Sequence, residues 1–293
     1  MTKSALVIKA YGRQFIVEID GANYQAVTKS KKTEYVVGDI VSIEEINSKQ
    51  VQIVDVIKRD NLVYRTDNNR SKIIASNIDQ MLIVIAVKPN CNLNFLNNCL
   101  IFAESAGITP IIIINKTDLT ESHDFSNKII QLYNTTLGYE VTKLSAYNGC
   151  DAMLLKLTNK NSLLIGQSGV GKSTIINQII PDGMARTGEI SKSENTGCHT
   201  TTNAELYHIS SNSNIIDCPG LQEFGLYHLD VDRLIEYFPE IKDHLGECKF
   251  RNCRHLNEPG CIVKTLYENG QMNRLRFELL QSITNNLLTK DRF

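Results

Sequence analysis

Gly166-Gln-Ser-Gly-Val-Gly-Lys-Ser173 sets three glycines, a lysine and a hydroxyl residue in the spacing G-x-x-x-x-G-K-[ST]. Glycines let the backbone curl until successive N–H groups point at one anion, and a following helix adds the positive end of its dipole. The flanks suit this chemistry. Ser162-Leu-Leu-Ile165 reads as a buried strand and Thr174-Ile-Ile-Asn-Gln-Ile-Ile180 as a helix. Gly166, Gln167, Ser168, Gly169, Val170, Gly171, Lys172, Ser173 and Thr174 are therefore expected to line a phosphate site. Lys172 would reach the β- and γ-phosphates, and Ser173 would hold Mg²⁺.

Two further pieces extend that site. Asp217-Cys-Pro-Gly220 closes the apolar run Asn214-Ile-Ile216. A carboxylate at a strand's C-terminal end suits a Mg²⁺-linked role, and the Gly220 N–H is placed to meet a γ-phosphate. Between the two motifs lies Thr196-Gly-Cys-His-Thr-Thr-Thr202, polar and loop-like. One of Thr200, Thr201 and Thr202 is expected to complete the Mg²⁺ shell, Thr201 being grouped with Lys172, Ser173 and His199 as the catalytic set.

Asn115-Lys-Thr-Asp118 follows the strand-like run Ile111–Ile114. A carboxylate here accepts from both N1–H and N2–H₂ of guanine, a donor pair that adenine lacks. Asn115 and Lys116 would brace the loop and cover the ring, and Thr117 is grouped with them in the nucleotide site. Ser145-Ala146 could add a backbone N–H to the base oxygen. The chain order is base motif, Ser-Ala, phosphate loop, Thr loop, D-x-P-G. Ordinary GTPases begin with the phosphate loop, so the cyclic order is kept while the starting point has moved. This is the pattern of a circularly permuted GTPase domain, in which the segment after D-x-P-G, an element that rearranges with the γ-phosphate in GTPases, leads straight into the C-terminal region.

Cys248, Cys253, His255 and Cys261 form C-x₄-C-x-H-x₅-C. Three thiolates and an imidazole in so short a stretch suit one tetrahedral, structural Zn²⁺. The other five cysteines stand in apolar or turn contexts and read as small core residues or bystanders.

These residues need elements to position them. In 293 residues, 42% hydrophobic and 22% charged, there is room for more than one core, and wholesale disorder is excluded. The balance of 31 Lys+Arg against 32 Asp+Glu excludes binding of nucleic acid by bulk positive charge. No apolar run approaches the roughly 18 residues of a membrane span, and the N-terminus lacks the apolar stretch of a signal peptide, so a cytoplasmic location without a membrane partner is expected.

Residues 1–62 read as five short strands, Leu6–Ile8, Phe15–Ile19, Tyr24–Val27, Val36–Val41 and Val51–Ile57, in an OB-like β-barrel. Residues 70–226 alternate apolar strands (81–87, 110–114, 162–166, 213–217) with helical patterns such as Asn94–Ala106, the mark of a parallel sheet covered on both faces. Residues 227–293 read as a helical zinc-binding domain whose closing helix, over 271–288, spaces Met272, Leu275, Leu279, Ile283 and Leu287 along one face. The fold class is thus α/β: a circularly permuted P-loop GTPase domain between a β-barrel and a zinc-binding helical domain.

Barrel, permuted motifs, GQSGVGKS, DCPG and the Cys/His tail together resemble the bacterial small-ribosomal-subunit biogenesis GTPases of the RsgA or YjeQ type. Ile74–Gln80 and Glu223-Phe-Gly225 are similar to that family too, so the resemblance spans essentially the whole chain. It implies a monomer that binds the small ribosomal subunit late in maturation, touches rRNA through the barrel and zinc domain, and hydrolyses GTP, stimulated by the subunit, to leave. Lys29, Lys31, Lys32, Arg251 and Arg254 are candidate rRNA contacts. A GTP-liganded rRNA-binding scaffold with incidental hydrolysis is the alternative. Many GTPases orient the attacking water with a Gln directly after the D-x-x-G glycine. That position is Leu221 here, with Gln222 one residue on. Turnover is therefore expected to be slow until the subunit orders the Thr loop, with His199 the candidate for positioning water.

Overall fold

The computed structural model describes residues 3–11, 14–28, 34–67, 70–180, 204–218, 226 and 228–290. β1 (Lys3–Tyr11), β2 (Gln14–Ile19), β3 (Ala22–Thr28), β4 (Ile40–Asn47) and β5 (Gln50–Lys58) pair in the order β1-β2-β3-β5-β4, and β4 returns to β1 to close a five-stranded barrel. Alternate residues face inward, so Val7, Phe15, Val17, Ala26, Val41, Ile43, Val51 and Ile53 make a core of their own.

The expected strand at Val36–Val41 is displaced. The fourth strand starts at Ile40, and the residues before it form a buried turn. Gly38 adopts φ 93°, and a Cβ there would lie 2.2 Å from the Ser76 carbonyl oxygen. The fully buried Asp39 accepts from Arg59 Nε and Nη2 (each 2.7 Å), Ser76 Oγ (2.7 Å) and the Val36 N–H (2.8 Å). Val36 and Val37 are buried, and Val37 makes an isolated bridge to Ala75 instead of a strand ladder.

A hairpin absent from the sequence reading follows, β6 (Leu62–Asp67) and β7 (Arg70–Ser76). The central sheet comprises β8 (Gln80–Ala86), β9 (Thr109–Asn115), β10 (Glu140–Lys143), β11 (Asn161–Gly166), β12 (Glu205–Ser210) and β13 (Ser213–Asp217), ordered β10-β9-β8-β11-β13-β12. All of its pairs are parallel except β12 with β13.

Every residue of β8 is buried, and its alternate side chains separate two cores. Met81, Ile83 and Ile85 face α1 (Leu93–Ala106), whereas Leu82, Val84 and Ala86 face α3 (Asp151–Leu157) and α4 (Lys172–Ile179). α2 (Ser122–Ile129) runs into one π-helical stretch, Ile130–Thr136. The ladder of β12 joins the barrel through Lys9↔Glu205, so one eleven-stranded sheet runs through both units.

After two short 3₁₀ turns, Leu234–Tyr237 and Pro239–His244, come α5 (Ile262–Glu268) and α6 (Arg274–Lys290). α6 begins three residues later than the apolar spacing implies. Met272, Leu279, Ile283 and Leu287 are buried as that spacing predicts. Leu275 is only half-buried. Arg276 is fully buried instead, over the Phe238 ring at 4.5 Å and bonded to Glu240 (2.7 and 3.2 Å) and Asn97 (3.1 Å). No helix among the described residues is long and apolar enough to cross a membrane.

Candidate nucleotide site and metal cluster

Gly166 ends β11 and Gly171 precedes α4. Gly171 has φ 101°, and a Cβ there would stand 2.3 Å from Asn115 Nδ2. Only glycine lets the base loop approach the phosphate loop this closely. No side chain caps the N-terminus of α4, so its first-turn N–H groups are left for an anion. Lys172 Nζ lies over the loop and donates to the carbonyls of Gly166 (2.6 Å) and Gln167 (3.0 Å). Burial lowers its pKa, and Asp217 partly restores it. Ser173 and Thr174 are exposed in the first turn of α4, and Ser168 and Gly169 are exposed in the loop. Val170 is buried beneath it.

Asp217 stands at the end of β13, next to β11 in the sheet. Its Oδ1 is buried and has no hydrogen-bond partner among the described residues. Burial pushes its carboxyl up to about 6, Lys172 pulls it down, and Glu205 raises it further. A buried carboxylate oxygen left without a donor beside a phosphate loop is the chemistry a hard cation satisfies, so the residues present fit Mg²⁺.

The second loop is tied to the first. Asn115 is 2% exposed; its Nδ2 donates to the Val170 carbonyl (2.9 Å) and its Oδ1 accepts from the Ala146 N–H (3.0 Å). Lys116 Nζ donates to the carbonyls of Lys88 (3.0 Å) and Gly169 (2.6 Å). The Thr117 N–H donates to the Leu144 carbonyl (3.1 Å), and Ser145 Oγ donates to Asp118 Oδ1 (2.6 Å). Asp118 remains exposed, so its other oxygen faces outward for a ligand. The structure thus gathers 115–118, 145–146, 166–174 and Asp217 at the C-terminal ends of neighbouring parallel strands, where ligands bind in open α/β sheets. Thr196–Thr202, with Cys198, His199 and Thr201, lies outside the described residues, as do Gly220, Leu221, Gln222, Glu223–Gly225 and Lys29, Lys31 and Lys32.

Two partners of the site, Asn92 and Glu205, carry no motif. Gln167 Oε1 accepts from the Asn92 N–H (2.8 Å), at the residue that caps α1. Glu205 sits directly across from Asp217 in the β12–β13 register. Neither position follows a recognisable spacing; both arise from strand and loop pairings distant in sequence.

In the C-terminal region, Cys248, Cys253, His255 and Cys261 converge until their ligand atoms all lie within 4.8 Å of one another. The three Sγ atoms stand 3.6, 3.6 and 3.5 Å from His255 Nδ1. A tetrahedron with Zn–S of about 2.3 Å and Zn–N of about 2.05 Å has an S···N edge of about 3.6 Å. The cluster could therefore hold a metal ion of that size. Burial lowers the His255 pKa and so favours the neutral imidazole that ligates. The Glu258 carboxylate accepts from the N–H groups of Arg254 (2.8 Å), Leu256 (2.9 Å) and Asn257 (3.1 Å) and so shapes the turn bearing His255.

A guanine-type base loop, a phosphate loop and a strand-end aspartate in permuted order define a circularly permuted GTPase. The RsgA GTPase family model matches residues 56–227. "Small ribosomal subunit biogenesis GTPase RsgA" of Neisseria meningitidis serogroup C is 41% identical over 288 residues, 98% of this chain and 93% of that protein. The protein of the same name from Nitrosomonas europaea is 41% identical over 284 residues, covering 96% and 90%. Among solved structures, YjeQ from Thermotoga maritima superposes with TM-score 0.75 at 25% identity, over 98% of this chain and 99% of that one. YloQ, described as a circularly permuted GTPase, gives 0.71 at 27% identity, over 100% and 96%. The chain belongs to the RsgA GTPase family and is a GTP hydrolase that takes guanine nucleotide.

Proposed function

We propose that this GTPase acts in biogenesis of the small ribosomal subunit: it binds the subunit and its rRNA late in assembly, and subunit-stimulated GTP hydrolysis drives its release. The observation that carries the reading is the junction of the two loops, where Asn115 and Lys116 of the base motif hold the carbonyls of Val170 and Gly169 in the phosphate loop. The relatives' names supply the ribosomal context.

In this reading Asp118, set by Ser145, selects guanine; Asn115 and Lys116 brace its loop; Thr117 lines the nucleotide site; and the Ala146 N–H, held by Asn115 Oδ1, turns to the base oxygen when nucleotide binds. The N–H groups of 166–174 cradle the phosphates. Lys172 exchanges the Gly166 and Gln167 carbonyls for phosphate oxygens as charge develops on them. Ser173 and Asp217 would hold Mg²⁺, which when bound offsets charge on the β- and γ-oxygens. The Gly220 N–H serves the γ-phosphate, with Thr201 and His199 assigned to the Thr loop. Leu221 cannot orient water, so the basal rate is slow.

The Cys₃His cluster holds one structural Zn²⁺. Residues 1–62, 70–226 and 227–293 serve as barrel, GTPase and zinc-binding units of a cytoplasmic monomer with no membrane partner. The barrel and the zinc segment, with Arg251 and Arg254, meet rRNA. GTP hydrolysis measured with and without small ribosomal subunits at fixed salt should show a large stimulation. Unchanged turnover in the presence of bound subunit would remove the timed-release reading.

A further inference from the structure

Three charged residues stand side by side across three strands. Lys9 of β1 is in register with Glu205 of β12, and Glu205 is in register with Asp217 of β13. Directly opposed residues of an antiparallel pair share a face, with Cβ atoms about 5 Å apart. Lys9 Nζ is ion-paired with Glu205 Oε1, at side-chain exposures of 16% and 28%. Tyr207, two residues along β12 on the same face, stands in register with Ile215 of β13. The other neighbour of β13 is β11, whose last residue, Gly166, holds Lys172 Nζ on its carbonyl (2.6 Å). The row therefore reads plus, minus, minus, plus from the barrel to the phosphate loop. Adjacent like charges such as Glu205 and Asp217 repel, and Lys9 is the cation that offsets the first of them. It belongs to the barrel, while the aspartate belongs to the nucleotide site.

We propose that Lys9 is a positioning residue of the Mg²⁺–nucleotide site: by compensating Glu205 it sets the charge that Asp217's surroundings present to a divalent cation. The seating of the barrel on β12 is thereby linked to how strongly nucleotide binding depends on Mg²⁺. This rests on the Mg²⁺ assignment proposed above for Asp217. With Lys9 removed, the bare Glu205 charge attracts Mg²⁺ and repels free phosphates. With Glu205 neutralised, the leftover Lys9 charge does the reverse. By linkage, a divalent cation at Asp217 weakens the Lys9–Glu205 seat by the same factor that the seat weakens the cation.

The test compares the full-length protein with Lys9→Met, Glu205→Gln and the double variant. GDP affinity is measured in excess Mg²⁺ and in excess EDTA near pH 8, and the ratio of the two is read. Lys9→Met should raise that ratio about fivefold and Glu205→Gln lower it about fivefold, on the scale of one charge acting on a divalent ion at this range. The double variant should return close to wild type. Both single variants break the same ion pair. A merely structural tie would move them in the same direction, and that outcome, or no movement in either, overturns the inference. Should Lys9→Met fail to fold, the lowered ratio of Glu205→Gln still decides the sign. A wild-type ratio near one would instead remove the Mg²⁺ assignment itself, and the inference with it.

Discussion

The barrel meets the central sheet along a polar strand edge, whereas the C-terminal helices meet α1 through a shared core. On the barrel side, Lys9–Glu205 is joined by Glu18–His208 at 2.8 Å, all four side chains partly exposed. The barrel keeps its own apolar core, while Ile8 is buried in the central cluster and Leu6, Ala10 and Ile16 pack against that cluster. On the other side, Leu266, Leu280, Ile283 and Leu287 lie in one cluster with Leu96, Leu100 and Ile101 of α1, around the Arg276–Glu240 pair. Partly exposed ion pairs contribute about 0.2–1 kcal/mol each, while each buried aliphatic side chain contributes about 1.5–3 kcal/mol. The barrel therefore docks through ion pairs and few buried apolar side chains, whereas the tail is continuous with the GTPase core.

The largest expected effect comes from breaking the packed seam. Glu240→Ala leaves the Arg276 guanidinium buried without its carboxylate and should cost about 3–5 kcal/mol in chemical denaturation. Combining Glu240→Leu with Arg276→Met should recover most of that, since both buried charges are then gone. A loss below about 1 kcal/mol in the single variant would make the two seams equivalent.

A middle-sized effect sharpens the contrast, because the polar seam runs through Glu205 to Asp217 of the nucleotide site. Burial pushes the Asp217 carboxyl up to about 6. Above that pH its carboxylate is ionised and available to a cation; below it a proton occupies the same oxygens. Mg²⁺-dependent nucleotide affinity should thus fall as pH drops through about 6, by up to about tenfold per unit below it. Affinity in EDTA should show no such fall. A Mg²⁺-dependent affinity that is flat from pH 7 to about 5 would disconnect Asp217 from the cation.

The smallest effect belongs to the barrel seam alone. Glu18→Gln removes the carboxylate facing His208 Nε2 and should cost under about 1 kcal/mol of global stability. Hydrogen exchange should quicken at β12 and the facing barrel strands while α5 and α6 keep their protection. Loosened α6 amides in this variant would show that the two seams are not independent.

How legible each part was in the sequence follows the range of the forces that build it. The loops at 115–118 and 166–174 announce themselves because each needs a fixed local spacing, and the structure brings them together through Asn115 and Gly171. The continuous apolar strand β8 and the helix α1 are equally local signals. β12 was missed because Glu205–Ser210 mixes polar and apolar residues at a strand whose partners, β1 and β13, decide its pairing. Val36–Asp39 looked like a strand, but Gly38 and the Asp39–Arg59–Ser76 hub turn it into a packed bend. Arg276 inside the core has no signature in α6 itself, since its partners Glu240 and Asn97 come from other elements.

The permuted order also has a consequence for the nascent chain. β8, Gln80–Ala86, carries no charge and no proline, is buried along its whole length, and lies between β9 and β11. β9 follows it after a single helix, but β11 begins only at Asn161. While the ribosome makes the intervening residues, one edge of β8 is an apolar strand with unpaired backbone groups, the kind of segment that pairs with other chains. The barrel strands, complete by Lys58, have already paired with one another by then. The vulnerable interval in this protein's synthesis is therefore the stretch between its base loop and its phosphate loop. Substitutions that delay β11 should lower soluble yield even when the finished fold is unharmed.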